Sequence, residues 1–207
     1  YRAEPDPLLY GVRTDGQLAT LCADRDQDVF AWSRQVTQGG YESAASVPTA
    51  DGNRVFVVVS RVVDGALTRY VEMFVDGLQT DAAITGHSDT GAATWGGLSH
   101  IRGMRVNAKG DGVFLGRFTV SDAGSITLPR TAQDVEIGLD YVTEILTLTP
   151  EFMGPIGSAQ GHQLSVYEVK VRLLETIGCA INLQTVSFRN LGPDALDAPP
   201  EPFTGDK

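Results

Sequence analysis

The alternation of apolar and polar residues along the chain predicts β-strands almost throughout. Residues 55–63 and 67–75 are runs of β-branched and aromatic residues, and runs of this kind favour strands. Asp64-Gly65 separates them, and this pair suits a type I′ hairpin turn because both central residues need a positive φ. Within the second run, Val71, Met73 and Val75 fall on one face and Tyr70, Glu72 and Phe74 on the other.

Asp-Gly pairs recur along the chain and mark further turns. They are Asp15-Gly16, Asp51-Gly52, Asp76-Gly77 and Asp111-Gly112. Hairpin turns placed between strand-like runs favour antiparallel pairing of consecutive strands. The predicted fold is therefore mainly β, an antiparallel meander or β-platform.

The middle of the chain predicts a separate small unit. Residues 77–97 are rich in Gly, Thr, Ala and Asp, a composition typical of a loop. Short strands are predicted after it, at 103–109, 113–120, 125–128 and 134–148. Strands this short with tight turns suit a small β-barrel or sandwich. We therefore expect residues 77–148 to form an inserted barrel-like domain, with residues 1–76 and 149–207 forming a discontinuous β platform.

The last part of the chain is expected to complete that platform. Residues 149–161 form a linker rich in Pro and Gly, and the alternation in 162–176 predicts a long, half-exposed strand. Another strand is predicted at 181–188, while 190–207 has no periodicity. No segment has the length and pattern of a stable helix.

Composition and charge narrow the function classes. The 207 residues are 42% hydrophobic and 20% charged, with a net charge of −10, so the chain is globular but lacks the basic face of a general nucleic-acid binder. The same charge disfavours docking on anionic lipid. It does not exclude a protein that lines a channel and repels the DNA passing through it. The start at Tyr1 suggests a segment of a longer protein.

Cys22 and Cys179 are the two cysteines, and they have neither disulfide-scaffold nor zinc-ligand spacing. No apolar run reaches the about 18 residues of a membrane span.

The segment DRDQDVFAWSR invites a chemical interpretation. Asp24, Asp26 and Asp28 would share one face if extended, and carboxylates can hold a metal. The Gly and Glu positions of a calcium-binding loop are missing, however. We therefore expect a polar connection, with Trp32 as a buried packing anchor.

The histidines and glutamates form no recognisable catalytic motif. His87, beside Ser88 and Asp89, lacks a nucleophile elbow and is expected in an exposed loop. His100 is expected to be packed and His162 exposed. A glycosidase pair needs carboxyls about 5–10 Å apart, and the candidates are Glu42, Glu72, Glu136 and Glu144. We predict a non-enzyme without catalytic residue, cofactor or metal.

Two long stretches of the chain resemble one protein family. They are LLYGVRTDGQLATLCADRDQDVFAWSRQVTQGGYESAASVP and DGNRVFVVVSRVVDGALTRYVEMF. Together they resemble the tail nozzle family of short-tailed bacteriophages, also called tail tubular protein B. The matching positions include Asp15, Gly16, Trp32, Ser33, Arg34, Glu42, Arg69, Tyr70 and Glu72. GLSHIRGMRVNAKGDG, DVEIGLDYVTEILTL and GSAQGHQLSVYEVKVRLLETIGCAI resemble later motifs of the same family.

The resemblance implies structural work in a virion tail assembled in the bacterial cytoplasm. Nozzle subunits form a homo-oligomeric ring, a hexamer, below the portal and adaptor proteins. DNA passes through its lumen without specific binding, and an acidic wall suits that passage because basic contacts would retain DNA. The excised segment is expected to be monomeric or weakly associated. The alternative is a carbohydrate-binding β-module, for which exposed aromatic residues at Trp32, Trp95, Tyr41 and Tyr70 would be the sign; a hydrolase ranks third.

Overall fold

The computed structural model describes residues 7–24, 26–50, 52–148, 153–154, 157–158, 165–188 and 202–207. The chain is mainly β, with several antiparallel sheets, as the sequence predicts. One 3₁₀ turn, Ser99–Ile101, is the sole helical element of the described part, and no described helix is long and apolar enough to span a membrane. The chain divides into two compact units, residues 1–142 and 143–207. The predicted platform with an inserted domain stays a prediction.

The first sheet of the N-terminal unit is a three-stranded meander. Its strands are β1 (Leu8–Val12), β2 (Leu18–Asp24) and β3 (Val29–Gln35), in the order β1-β2-β3. The turn before β2 is held by Asp15, whose carboxylate accepts a hydrogen bond from the Gln17 backbone N–H at 3.1 Å. Asp24 does the same before β3, accepting from the N–H groups of Asp26 and Gln27. These acids shape turns, as the polar-connection hypothesis predicts.

The second sheet is also a meander. Its strands are β4 (Gly40–Thr49), β5 (Gly52–Val63) and β6 (Ala66–Met73). Asp64 and Gly65 join β5 to β6 with φ of 52° and 76°, which confirms the predicted type I′ turn. The valines at alternate positions of β5 point inward and pack with Leu18 of β2 and Tyr41 of β4. The first two sheets therefore share one apolar core.

The third sheet is a larger, open sheet. It contains β7 (Asp81–Trp95), β8 (Arg105–Gly110), β9 (Val113–Thr119) and β10 (Ile126–Leu139), in the order β7-β10-β8-β9. β10 pairs with β7 on one side and with β8 on the other. No closed barrel forms in the described residues, so the barrel alternative for this region is wrong.

The predicted loop over 77–97 is wrong where β7 forms. The small residues of this segment are needed because a large neighbour covers them: a Cβ on Gly86 would lie 2.7 Å from Cζ3 of Trp95. The predicted strands at 125–128 and 134–148 are one strand, β10, which ends at Leu139. Beyond it, residues 141–148 are exposed and not in a strand.

A second core belongs to this sheet. Its buried members include Leu98 just before the 3₁₀ turn, Ile101 at the end of that turn, and Ile137 and Leu139 on β10, all with 0% exposure. Gly138 lies between the last two, and its backbone faces Asp81 so closely that a Cβ would lie 2.6 Å from the Asp81 carbonyl oxygen. The close approach of β10 to β7 therefore requires glycine at this position.

The C-terminal unit contains short antiparallel pairs. They are β11 (Met153–Gly154) with β12 (Gly157–Ser158), β13 (Arg172–Thr176) with β16 (Phe203–Asp206), and β14 (Cys179–Ile181) with β15 (Gln184–Val186). The strand predicted over 162–176 is wrong at 165–170, because backbone pairing begins where Val171 exchanges hydrogen bonds with Lys207. The strand predicted over 181–188 is a tight hairpin, since Asn182 and Leu183 turn with positive φ. His162 lies outside the described residues.

Candidate functional site

A buried charge cluster lies where the three sheets of the N-terminal unit meet. Arg61 of β5 is 1% exposed, and its guanidinium forms a bidentate ion pair with the carboxylate of Glu72 on β6. Its Nη2 also donates to Thr37 Oγ1 at 2.7 Å and lies 3.4 Å from Asp81 Oδ2. Thr37 in turn donates to Asp81 at 2.6 Å. We call Thr37, Arg61, Glu72 and Asp81 the junction cluster.

The junction cluster connects segments from each sheet. Thr37 follows β3, Arg61 and Glu72 belong to the second sheet, and Asp81 begins β7. A buried guanidinium must have its charge and its donors satisfied, or its desolvation outweighs any attraction. The sequence carried one signal of the cluster, because Arg61 occupies the inward phase of β5, alternating with valines.

Gly39 and Tyr41 are packed close to the junction cluster. Gly39 has φ of 144°, and a Cβ there would lie 2.3 Å from the Ser60 carbonyl oxygen. Tyr41 is 6% exposed, and burial, followed by the negative charges of Asp81 and Glu72, raises the pKa of its hydroxyl to about 12. Ionisation of Tyr41 would add another negative charge to a site that already has two carboxylates.

Alkaline pH should therefore destabilise the protein through Tyr41. Folding raises the pKa of this hydroxyl from 10.0 to about 12. The contribution of Tyr41 to stability is therefore complete below pH 10 and is lost as pH rises towards the folded pKa. The loss amounts to about 2–3 kcal/mol. Urea unfolding between pH 8 and pH 12 should give a difference between wild type and Tyr41→Phe that changes only in the alkaline window. A constant difference would contradict the assignment.

Most of the residues that carry the family resemblance make structural contacts. Gly16 has φ of 76° and packs against Gly40, with its carbonyl accepting from the Tyr41 N–H at 2.8 Å. Glu42 accepts from Arg69 at 2.7 Å; this hydrogen bond lowers the pKa of Glu42.

Tyr70 of β6 contacts the 3₁₀ turn that packs on the third sheet. Its ring meets His100 edge-on at 6.2 Å, while His100 Nε2 lies 2.8 Å from the Ala82 carbonyl oxygen. This confirms the prediction that His100 is packed.

Trp32 is the exception, and the prediction that it is a buried anchor is wrong. Its side chain is 67% exposed, and Phe30 two residues before it is 70% exposed. The reason is the position of β3 at the margin of its sheet, where six of the seven residues are exposed. Register pairing places Leu21 of β2 opposite Trp32 and Leu9 of β1 opposite Leu21. We call this row, with Phe30, the outer apolar face.

Ser33 and Arg34, two further family positions on β3, are also exposed. Ser33 donates to the Thr20 carbonyl oxygen across the ladder at 3.4 Å. Arg34 shares the face of Trp32, since alternate residues of a strand point the same way.

Trp32→Ala should change the free energy of unfolding of dilute protein by less than about 1 kcal/mol, because the side chain loses little buried area. Leu18→Ala on the neighbouring strand is the matched comparison: Leu18 is fully buried, and its truncation should cost about 2–5 kcal/mol. Chemical denaturation of both variants measures the contrast. Equal costs would mean that Trp32 does contribute to the core.

His87 belongs to β7 rather than to the predicted loop, although it is exposed as expected. It borders an open cleft of about 470 Å³ lined also by Thr85, Lys109, Asp134 and Glu136. Its Nδ1 lies 2.7 Å from Asp134 and its Nε2 lies 3.1 Å from Asp89. The bond to Asp134, then that to Asp89, raises the pKa of His87. Both ring nitrogens are engaged, so neither is left to take a proton from a bound molecule.

Three of the four glutamates considered for a glycosidase pair are held in other interactions. Glu42 binds Arg69 and Glu72 binds Arg61. Glu136 is buried and accepts from the Gln79 N–H at 2.6 Å and from Thr80 Oγ1 at 2.8 Å, while Glu144 is exposed. Within the described ranges, no group of three or more His, Cys, Asp or Glu side chains could hold a metal ion. Cys22 and Cys179 are both free.

No protein-family model and no curated protein matches the chain.

Proposed function

We propose that this chain is a structural module of a bacteriophage tail, similar to the tail nozzle family. In that role it assembles with further copies of itself into a ring, a hexamer, that adjoins the portal and adaptor proteins and through which DNA leaves the particle. The observation that carries the proposal is that residues which resemble the family make contacts that hold the fold together. Gly16, Glu42, Arg69, Tyr70 and Glu72 make contacts between strands or sheets.

Exposed apolar side chains on open sheets support an assembling role. Besides the outer apolar face, the second sheet presents Val62, Leu67 and Val71 to solvent at 62%, 62% and 74% exposure. These three lie on the outward side of the β5–β6 hairpin, where Val62 pairs with Leu67 and Val58 pairs with Val71. Apolar patches of this kind on a folded chain are typical of surfaces that neighbours cover.

Charge supports the passage of DNA rather than its capture. The net charge of the chain is −10, so a lumen built from such subunits would repel the phosphate backbone instead of releasing its counterions on contact. Such a wall lets DNA slide past without sequence readout.

Electron microscopy of the full-length protein tests the proposal. Rings with a central channel are expected, together with no retention of duplex DNA in a mobility-shift assay at low salt. A protein that stays monomeric at high concentration, or that binds DNA tightly at low salt, would overturn the proposal.

One observation favours a second candidate, a carbohydrate-binding module. Trp32 and Phe30 are exposed side by side on a sheet face, and exposed aromatic rings can form a sugar-binding platform. Tyr70 does not join them, because its ring is half-buried against His100. Titration of a Trp95→Phe variant with oligosaccharides, followed by the fluorescence of Trp32, tests this candidate. A saturable change would favour the glycan module over the ring.

A further inference from the structure

The free edge of β3 is an unprotected pairing surface. β3 is the terminal strand of its sheet, and no other described strand pairs with its outer edge. Its seven-residue ladder with β2 runs without a register shift, and it contains neither proline nor glycine. By contrast, the edge strand β4 contains Pro48 and a register shift, devices that block pairing with another chain. β3 contains neither a proline nor a register shift.

The sequence of β3 is complementary to itself. In an antiparallel pair of two β3 strands centred on Ala31, Phe30 of each copy lies opposite Trp32 of the other, and Val29 lies opposite Ser33. Residues directly opposite in an antiparallel pair share a face, so both aromatic pairs fall on the outer apolar face. Aromatic cross-strand pairs are among the more stabilising ones.

The opposite charges of Arg34 and of the acidic turn before β3 favour the same register. The pairing centred on Ala31 brings Arg34 of each copy next to the acidic turn that precedes β3 of the other copy, where Asp26 and Asp28 lie, the latter with φ of 53°. Arg34 is the one charged residue within β3. A shift by two residues would move both Arg34 side chains away from Asp28 and break both Phe30–Trp32 pairs. One register therefore satisfies the apolar and the charged residues together.

We propose that β3 pairs antiparallel with β3 of a second copy of this chain, about a two-fold axis at Ala31, so that two three-stranded sheets join into one of six strands. The contact is isologous and closes with two copies, unlike the head-to-tail contacts of a ring. It does not rest on the proposed tail function. A strand of seven residues buries less than the about 1,200 Å² of standard stable interfaces, so association is weak and depends on concentration.

A cysteine at the two-fold axis tests the register directly. Directly opposed residues in an antiparallel pair have Cα atoms about 4.5–5.5 Å apart, within the range of a disulfide. In a background with Cys22→Ala and Cys179→Ala, Ala31→Cys should form a covalent dimer under mild oxidation. The background matters because Cys22 is the register partner of Ala31. Ser33→Cys is the matched control: it is exposed on the same strand but faces Val29 of the other copy, so it should cross-link poorly.

Charge and side-chain variants test the energetics by sedimentation velocity over a range of concentrations. Trp32→Lys should raise the dimer dissociation constant at least about tenfold, since a lysine on a strand edge opposes pairing. Arg34→Glu should do so too, and combining it with Asp28→Lys in one chain should restore association. Circular dichroism confirms that each variant is folded.

Two outcomes overturn the proposal. One is a wild-type chain that stays monomeric at every concentration. The other is cross-linking of Ser33→Cys as efficient as that of Ala31→Cys, which would assign the edge to another register or to a different partner.

Discussion

Arg61→Met should lower the free energy of unfolding by about 3–5 kcal/mol, the cost of breaking a buried ion pair by removing one partner. The substitution leaves the carboxylates of Glu72 and Asp81 close together, each with 20% side-chain exposure, and without the cation that neutralises both. It also removes the donor to Thr37. Because the junction cluster connects segments of three sheets, the loss should lower the stability of all three in one transition. Guanidinium unfolding followed by circular dichroism measures it.

Arg69→Met is the matched control. It makes the same chemical change on the neighbouring strand, but Arg69 is 63% exposed in its pair with Glu42, so little stability should be lost. A double-mutant cycle separates coupling from packing: Glu72→Gln should cost much less in the Arg61→Met background than alone. An Arg61→Met cost equal to that of Arg69→Met would mean that the junction cluster does not hold the sheets together.

Gly39→Ala should lower the free energy of unfolding by about 2–5 kcal/mol, from backbone strain and overpacking together. The φ of 144° is a conformation that residues with a Cβ rarely adopt, and the added methyl would lie 2.3 Å from the Ser60 carbonyl oxygen and 2.8 Å from Cγ of Arg61. A carbonyl in the second sheet cannot move without breaking its pairing. The chain between β3 and β4 must therefore shift, and with it Thr37.

Gly52→Ala separates the two causes. Gly52 also has a positive φ, 109°, but a methyl group added there would meet nothing within 4 Å. It should lose only the backbone contribution, on the order of 1 kcal/mol. If both variants lost the same stability in urea unfolding, the close approach of Gly39 to Ser60 would not be the cause.

Local signals predicted the hairpins of the fold correctly. Asp64-Gly65 and Asp111-Gly112 both turn with positive φ at each residue, since the preference belongs to the residues themselves. β7 was missed because its evidence is not local. A segment of Gly, Ala and Thr becomes a strand when a distant partner pairs with it and a ring such as Trp95 covers its glycines. The composition of the segment alone does not predict this pairing.

The same distinction applies to the candidate site. The alternation in β5 predicts that the Arg61 side chain points inward. Thr37 and Asp81 contact Arg61 from distant parts of the chain, and no spacing in the sequence predicts these contacts. The burial of Trp32 was predicted wrongly because an aromatic residue in a strand is usually covered. Whether a strand lies at the centre or the edge of its sheet depends on the strands beside it, and β3 is at the edge.

The pairing of β7 with β10 has a consequence for the folding pathway. Its register runs from Trp95 with Ile126 to Asp81 with Leu139, so the first pair closes the shortest loop and the last pair closes the longest. Because the entropy lost on closure grows with loop length, we expect this ladder to form from the Trp95 end. Ile84 of β7, which pairs with Ile137 and packs against the second core, would then join after the rate-limiting step. Its truncation would accelerate unfolding while leaving the refolding rate almost unchanged.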